Sequence, residues 1–526
     1  MAVDLASESE YKHVSKSLTT SRIFLFTNWR LNMKPLRCFA LQASVAAMLL
    51  LILVAPPELF AQKGEMSITT SSKEAMNLFM QGRDKAENIE QAAAAALFEQ
   101  AIQKDPNFAL AYLYRAQSGG GFNISRQSLE KAISLADKAS PGERHWILYA
   151  QAQSDGDTAK AKESLDQLLK LFPADKRVHY LAGNYHRLIG DDRMALQEFT
   201  KVVERDKKFA PAYNLLGYAQ SALGNYKAAE EAFKTYIKLL PNSPNPYDSY
   251  AELLLKTGKY DESIAQYRKA LAIDPTFSGS LTGIGNNYLF KGDYAKARES
   301  YQQLFDKARA VNVKVGAMNS IITSYVHEGK TEEALKAVEQ LRAFAETADA
   351  RPAIIATYNN AGFILAESGK VDEAMKQFEM ANKLREESSL PPAFKENGRF
   401  GAALAQARAS IARREFDAAK AKIEEARGLA AAKKNPFQEK AVNEALGHLE
   451  LEQKNYDKAL QHFAMADTED PYVWYHTALA YEQKGDTANA AKLYAKVVNW
   501  NQNDFGYAFV RPQAMKKMNG MAKMSK

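Results

Sequence analysis

Residues 210–243 and 244–277 carry one pattern twice. The first segment reads APAYNLLGYAQSALGNYKAAEEAFKTYIKLLPNS and the second PNPYDSYAELLLKTGKYDESIAQYRKALAIDPTF. Both place Tyr at position 4, a small residue at 8, Gly at 15, Tyr at 17, an aromatic at 24 and Pro at 32. A repeat of this length constrains the fold more than any composition figure. One unit of 34 residues cannot bury its own apolar face, so its copies must stack on one another.

The same frame runs along most of the chain. From Ala75 it meets Gly82, Ala94, Phe98 and Pro106; from Gly142 it meets Gly156, Ala161, Leu165 and Pro173. From Lys176 it meets Gly183, Gly190, Ala195 and Phe199, and from Ser278 Gly285, Gly292, Ala297 and Tyr301. From Ile355, Lys440 and Pro471 it meets Phe378, Phe463 and Tyr494 at position 24. Weaker copies start at Ala109, interrupted by Gly119-Gly120-Gly121, at Val315, and at Phe400, where Arg414 stands at position 15. This pattern resembles the tetratricopeptide repeat, a helix–turn–helix unit of 34 residues. The resemblance implies an all-α fold, an α-solenoid of about twelve hairpins over roughly 75–504, with a concave groove lined by the first helix (A) of each unit. The frame slips at Lys307–Lys314 and at Glu386–Gly398, both read as bends within one array.

Each repeated position has a physical reason. Small residues at 8 and 20 let the two helices approach, and large ones at 4, 11, 17 and 24 fill the space between units. Gly at 15 takes a turn conformation closed to residues with a Cβ. Pro at 32 ends the second helix.

Composition removes several classes of function. Gly and Pro number 27 and 17 of 526 residues, which excludes a collagen-like or low-complexity chain. Cys38 is the only cysteine, so no disulfide framework or thiolate zinc site can form. The net charge of +7 on 69 basic and 62 acidic residues gives no reason to expect nucleic acid.

The N-terminal stretch reads as an address. Residues 39–55 are uncharged and apolar, Lys34 and Arg37 precede them, and Leu59-Phe60-Ala61-Gln62 follows. This is a signal peptide with cleavage expected after Ala61, preferred over an uncleaved membrane anchor. Met33 is a credible start. The expected segments are 1–61 leader, 62–74 linker, 75–311 and 312–504 the two halves of the array, and 505–526 a basic, Met-rich tail. Export to the periplasm or beyond follows. Oligomeric state cannot be read.

Carried residue by residue, the resemblance puts positions 2, 5, 9 and 12 of helix A in the groove. They are Arg177, Tyr180, Asn184, Arg187, Asn214, Tyr218, Asn245, Asp248, Glu252, Asn286, Asn359 and Phe363. Asn can donate to and accept from an extended backbone, Tyr offers apolar area with a hydroxyl, and Arg can grip a carboxylate with paired bonds. Alternatively, the asparagines satisfy neighbouring helix ends. A carboxylate clamp that some relatives carry is absent, because Tyr180, Leu215, Asn245 and Ser249 occupy its positions.

No phosphate loop, metal motif or catalytic set appears, so an enzyme is not expected. No cofactor is expected either. His179 and His186 lie two turns apart on one helix face and read as a satisfied surface pair. Met515, Met518, Met521 and Met524 have a spacing that suits Cu(I), but Lys516, Lys517 and Lys523 repel a cation. The expected function is an exported scaffold holding a protein or peptide partner in its groove, serving envelope assembly. The alternative is a glycan-binding arm of a polysaccharide or peptidoglycan enzyme complex.

Overall fold

Repeat spacing becomes hairpins because one aromatic per unit needs a hole in its partner helix. In a computed structural model, which describes residues 64–87, 90–433 and 435–524, the position-24 ring lies directly on the glycine at position 8 of its own unit. A Cβ built on Gly82, Gly183, Gly217, Gly285, Gly362 or Gly447 would stand 2.3–2.7 Å from Phe98, Phe199, Phe233, Tyr301, Phe378 or Phe463. The rings are fully or nearly fully buried. The small residue is therefore a socket, and the aromatic locks helix A to helix B.

Among the described residues the chain forms twenty-five helices, from α1 (Lys73–Ala86) to α25 (Phe505–Met524). Odd-numbered helices up to α23 (Pro471–Lys484) are helices A, and even-numbered ones up to α24 (Thr487–Val498) are helices B. Neighbours pack in chain order, which gives twelve hairpins in one continuous α-solenoid. Turn glycines such as Gly190 and Gly224 sit at φ 78° and 77°. The turns that lack glycine keep the same backbone shape, with Arg414 at φ 63° and Lys454 at φ 65°.

The frame slips have a local cause. The helices from α15 (Val311–Glu328) to α21 (Pro436–Glu452) are 17 to 21 residues long, against 13 or 14 in α5 (Pro141–Ser154) to α14 (Tyr294–Lys307). The added residues extend helices by about a turn, so the segments expected as bends are mostly longer helices. At Gly119-Gly120-Gly121 the reverse occurs, and α3 (Ala109–Gln117) stops after nine residues.

Both ends of the described chain do more than expected. Residues 64–72, read as linker, form an extended strap across the first units. Met66 N donates to Asp175 Oδ2 at 2.8 Å, Thr69 N to Glu143 Oε1 at 2.9 Å and Ser71 N to Asp105 Oδ2 at 2.9 Å. Residues 505–526, read as a tail, contain α25, which packs on α24, α23 and, across the superhelix, α15. Tyr507, Ala508, Val510 and Ala514 of α25 are buried. The leader expected over 1–61, with Met33 and Cys38, lies outside the described residues. No helix among the described residues is long and apolar enough to cross a membrane.

His179 corrects an expectation. It is not a surface residue: it is buried on α7 (Lys176–Leu188), with Nδ1 2.5 Å from Glu198 Oε2 and Nε2 2.8 Å from the Pro173 carbonyl. Burial pushes Glu198 up, but the hydrogen bonds from His179 and Lys201 outweigh it and hold the carboxyl below its usual range.

Candidate peptide-binding groove

Helices α7, α9 (Ala210–Ala222) and α11 (Pro244–Lys256) bring seven of the expected groove residues together. Arg177 Nε donates to Glu87 Oε1 at 3.2 Å, and its guanidinium stands 5.9 Å from the Phe209 ring. Tyr180 packs edge-on to Phe209 with ring centroids 5.5 Å apart. Asn184 Nδ2 donates to the Tyr180 carbonyl of its own helix at 2.8 Å. The Arg187 guanidinium lies 5.2 Å from the Tyr218 ring, and the Tyr218 hydroxyl donates to exposed Glu252. Burial first, then Glu252, pushes the Tyr218 phenol well above its ordinary pKa, so it stays a donor. Asn214 is 6% exposed, and its Oδ1 has no partner among the described residues. A buried carbonyl oxygen without a donor is costly.

Two expected residues stand elsewhere. Asn245 and Asp248 are each 1% exposed, sealed inside the stack. Asn245 Nδ2 donates to the Tyr236 hydroxyl at 2.9 Å, and Asp248 Oδ1 accepts from Ser280 Oγ at 2.7 Å. They join helices within the stack through the side chains of Tyr236 and Ser280, not through helix ends, and are out of a ligand's reach.

Of the remaining three, Asn286 meets the chain's own C-terminal part. Asn286 Oδ1 on α13 (Ser278–Phe290) accepts from Tyr301 at 2.7 Å and from Asn503 Nδ2 at 3.1 Å. Nearby, the Tyr260 hydroxyl donates to Asn501 Oδ1 at 2.9 Å, and Arg511 reaches the Phe290 carbonyl at 3.4 Å. Asn359 and Phe363 are half-buried on α17 (Arg351–Glu367). Phe363 meets Phe378 edge-on and lines a cavity of about 20 Å³ with Arg408 and Glu444, room for one water. Arg408 pairs with Glu444 and lies 5.0 Å from the Tyr472 ring, and the Tyr472 hydroxyl donates to Glu367 Oε1 at 2.8 Å. Burial works against the charged Glu444, but Arg408 and His448 hold it well below the carboxylate range. The concave face from α13 to α19 (Pro392–Ala412) is thus filled by the end of the chain, while the face of α7 to α11 holds the exposed polar set.

Sequence reasoning missed Arg83, Arg408 and His448, although each sits at position 9 of its unit. The groove rule was carried only onto the central units. Nothing periodic marks Asn501, Asn503 or Arg511, which follow the last hairpin. Among the described residues no cluster could hold a metal ion.

Comparisons with known proteins agree with the repeat. Family models described as tetratricopeptide repeat match residues 146–175, 210–243, 244–277, 278–306 and 445–504. The chain is 27% identical to anaphase-promoting complex subunit 3 of Schizosaccharomyces pombe, over 31% of this chain and 24% of that protein. It is 32% identical to small glutamine-rich tetratricopeptide repeat-containing protein 2 of Mycosarcoma maydis, over 19% of this chain and 28% of the relative. The chain thus spans under a third of the length of both relatives. A solved tetratricopeptide repeat protein from Parabacteroides merdae aligns with 19% identity and a TM-score of 0.32, covering 48% of this chain and 98% of that one.

Proposed function

The chain is a tetratricopeptide repeat protein, and from that premise we propose that it is an exported, non-enzymatic scaffold of the cell envelope that holds a segment of a partner protein in its concave groove. The observation that carries the reading is the chain's own use of that face. Asn286, a position-9 groove residue, already hydrogen-bonds a non-helical stretch of polypeptide through Asn503. Further expected positions of the same kind lie on α7 to α11: Arg177, Tyr180, Asn184, Arg187, Asn214, Tyr218 and Glu252. Asn214 carries an acceptor without a partner among the described residues, Glu252 an exposed carboxylate held by Tyr218, and the two arginines charge. The uncharged run at 39–55 and the small residue Ala61 support export of a chain beginning at Gln62.

The test uses protein recovered from the envelope fraction after expression of the full chain, with its first residue determined. Peptides selected on it from a random display library are measured against an Asn184→Ala, Asn214→Ala double variant. Binding weaker by about tenfold, with the melting temperature retained, is the expected outcome. Equal binding by both forms would move the site off this face.

A further inference from the structure

Arg83 is a buried cation without a proper partner. It sits at position 9 of the first unit, 8% exposed, and its Nε has no acceptor among the described residues. The nearest carboxylate oxygen is Glu87 Oε1, 4.0 Å from that nitrogen. The same oxygen accepts from Arg177 Nε at 3.2 Å, three units further along the array. One carboxylate therefore serves two guanidiniums. Tyr114 of α3 faces the same cluster, its ring 5.1 Å from Phe79 and 6.3 Å from Trp146, and interacts with both arginines.

The other acids nearby do not fill the gap. Asp175 gives its carboxylate to the backbone N–H groups of Met66, Arg177 and Val178. Asp84 is exposed, and its effect on Arg83 is the weakest of the nearby charges; Glu65 of the strap stands in the same relation to Arg177. A guanidinium stays charged in a protein, and one buried without a good acceptor is strongly disfavoured. Burial first, and repulsion from Arg177 second, act against the charged form of Arg83. Burial also keeps the Tyr114 phenol protonated, so it presents a donor. Donors thus exceed acceptors around one point on the concave side. The side chains of Arg177 and Glu87 remain 17% and 20% exposed, which leaves a route in from solvent.

We propose that Arg83, Arg177 and Tyr114 form a carboxylate-binding site at the N-terminal end of the groove, which takes an acidic side chain or the C-terminus of a bound peptide. Arg83 supplies a guanidinium whose Nε has no acceptor among the described residues, Arg177 holds Glu87 and offers its outer nitrogens, and Tyr114 adds a hydroxyl. Two guanidinium planes can each meet a carboxylate with paired bonds. The site rests on the peptide-holding reading and adds a charge preference to it. It draws on residues from units 1, 2 and 4, unlike the clamp positions shown above to be unfilled.

The test titrates full-length protein, prepared as above, with three probes: hexaglutamate with a free C-terminus, hexaglutamate amide, and hexaglutamine amide. Variants Arg83→Met and Arg177→Met accompany the wild type. The expected result is that a carboxylate-bearing probe binds the wild type at least about tenfold more tightly than hexaglutamine amide, and that either variant removes this preference. Equal strength of the two glutamate probes assigns a side-chain carboxylate, and loss on amidation assigns the terminal one. Unliganded Arg83→Met should melt at the wild-type temperature or above, since it removes a buried cation. Absence of any carboxylate preference in the wild type, or a preference kept by Arg83→Met, would overturn the site. Library-selected peptides that still bind the α7–α11 face would in that case leave the wider reading standing.

Discussion

At the scale of single residues, the same change should have opposite signs at two helical glycines. Ala is a better helix former than Gly by about 1 kcal/mol, so Gly→Ala in an open helix interior stabilises. Gly428 is such a place: it is exposed within the helix Phe416–Lys433, and an added Cβ would meet nothing within 4 Å. At Gly183 the added methyl would stand 2.4 Å from Phe199 Cε1, and Phe199 is fully buried. Overpacking of this kind costs about 1–3 kcal/mol, which exceeds the helix gain. Thermal unfolding should therefore show Gly428→Ala melting higher and Gly183→Ala lower than the wild type. Adding Phe199→Leu to Gly183→Ala should destabilise less than Phe199→Leu does alone. Strict additivity of the two changes would sink the socket account. The periodicity made the small residue at position 8 and the aromatic at 24 legible, since each recurs in unit after unit. That they touch each other within one hairpin was not legible, because spacing along the chain does not say which side chains meet.

At the scale of elements, the repeated hairpins were readable and the segments flanking them were not. Position 15 announces its turn wherever glycine stands, because only one backbone shape needs it. The strap and α25 have no such repeat, and scattered side chains hold them. The strap shows the physics plainly. Asp105 is buried beyond α2 (Gln91–Lys104) and accepts from Thr70 Oγ1 at 2.6 Å, Ser71 N at 2.9 Å and Asn107 N at 3.0 Å. These bonds hold its carboxyl below the usual range although burial opposes them. Hydrogen bonds to a charged acceptor contribute about 1.5–3 kcal/mol each when one partner is removed, and shared ones add less than their sum. Asp105→Ala should therefore free residues 64–72 while the array stays folded. Limited proteolysis should cut the variant within the strap at a protease concentration that leaves the wild type whole. An uncut strap in the variant would mean that Asp175 and Glu143 hold it unaided. The groove residues illustrate the same limit on reading. Asn184 and Asn245, at positions 9 and 2 of their units, are both expected in the groove, yet one bonds back to its own helix and the other joins Tyr236 inside the stack.

At the scale of the whole molecule, the docking of α25 across the superhelix ties the middle of the array to its end, and His327 sits in the joint. It is 2% exposed on α15, edge-on between Phe290 of α13, with ring centroids 6.1 Å apart, and Tyr507 of α25, at 5.6 Å. Its Nε2 is 3.3 Å from Asn503 Oδ1, and its Nδ1 has no partner among the described residues. Arg511 of α25 is buried nearby, its guanidinium 5.3 Å from the Phe290 ring. Burial, and then the Arg511 charge, push the His327 pKa down to about 3. The docked state therefore requires neutral His327. Its folded value lies below the unfolded one of 6.5, so its contribution is complete above pH 6.5 and is lost as pH falls from there towards about 3. The loss is at most about 1.4 kcal/mol per pH unit, or roughly 2 kcal/mol between pH 6.5 and pH 5. Asp470 works in the other direction: burial, with Glu444 beside it, pushes it up to about 7, so its protonation as pH falls favours the folded chain. A bare pH profile would mix the two groups, and comparison with His327→Gln separates them, because Gln retains an amide that can meet Asn503 but takes up no proton. Hydrogen exchange over residues 505–514, corrected for the intrinsic pH dependence, should show wild-type protection falling from pH 7 to pH 5. In His327→Gln the fall should be absent. An equal fall in both proteins would place the acid-sensitive group elsewhere in the joint, and an unchanged wild type would mean that α25 stays docked with a charged His327 beside Arg511.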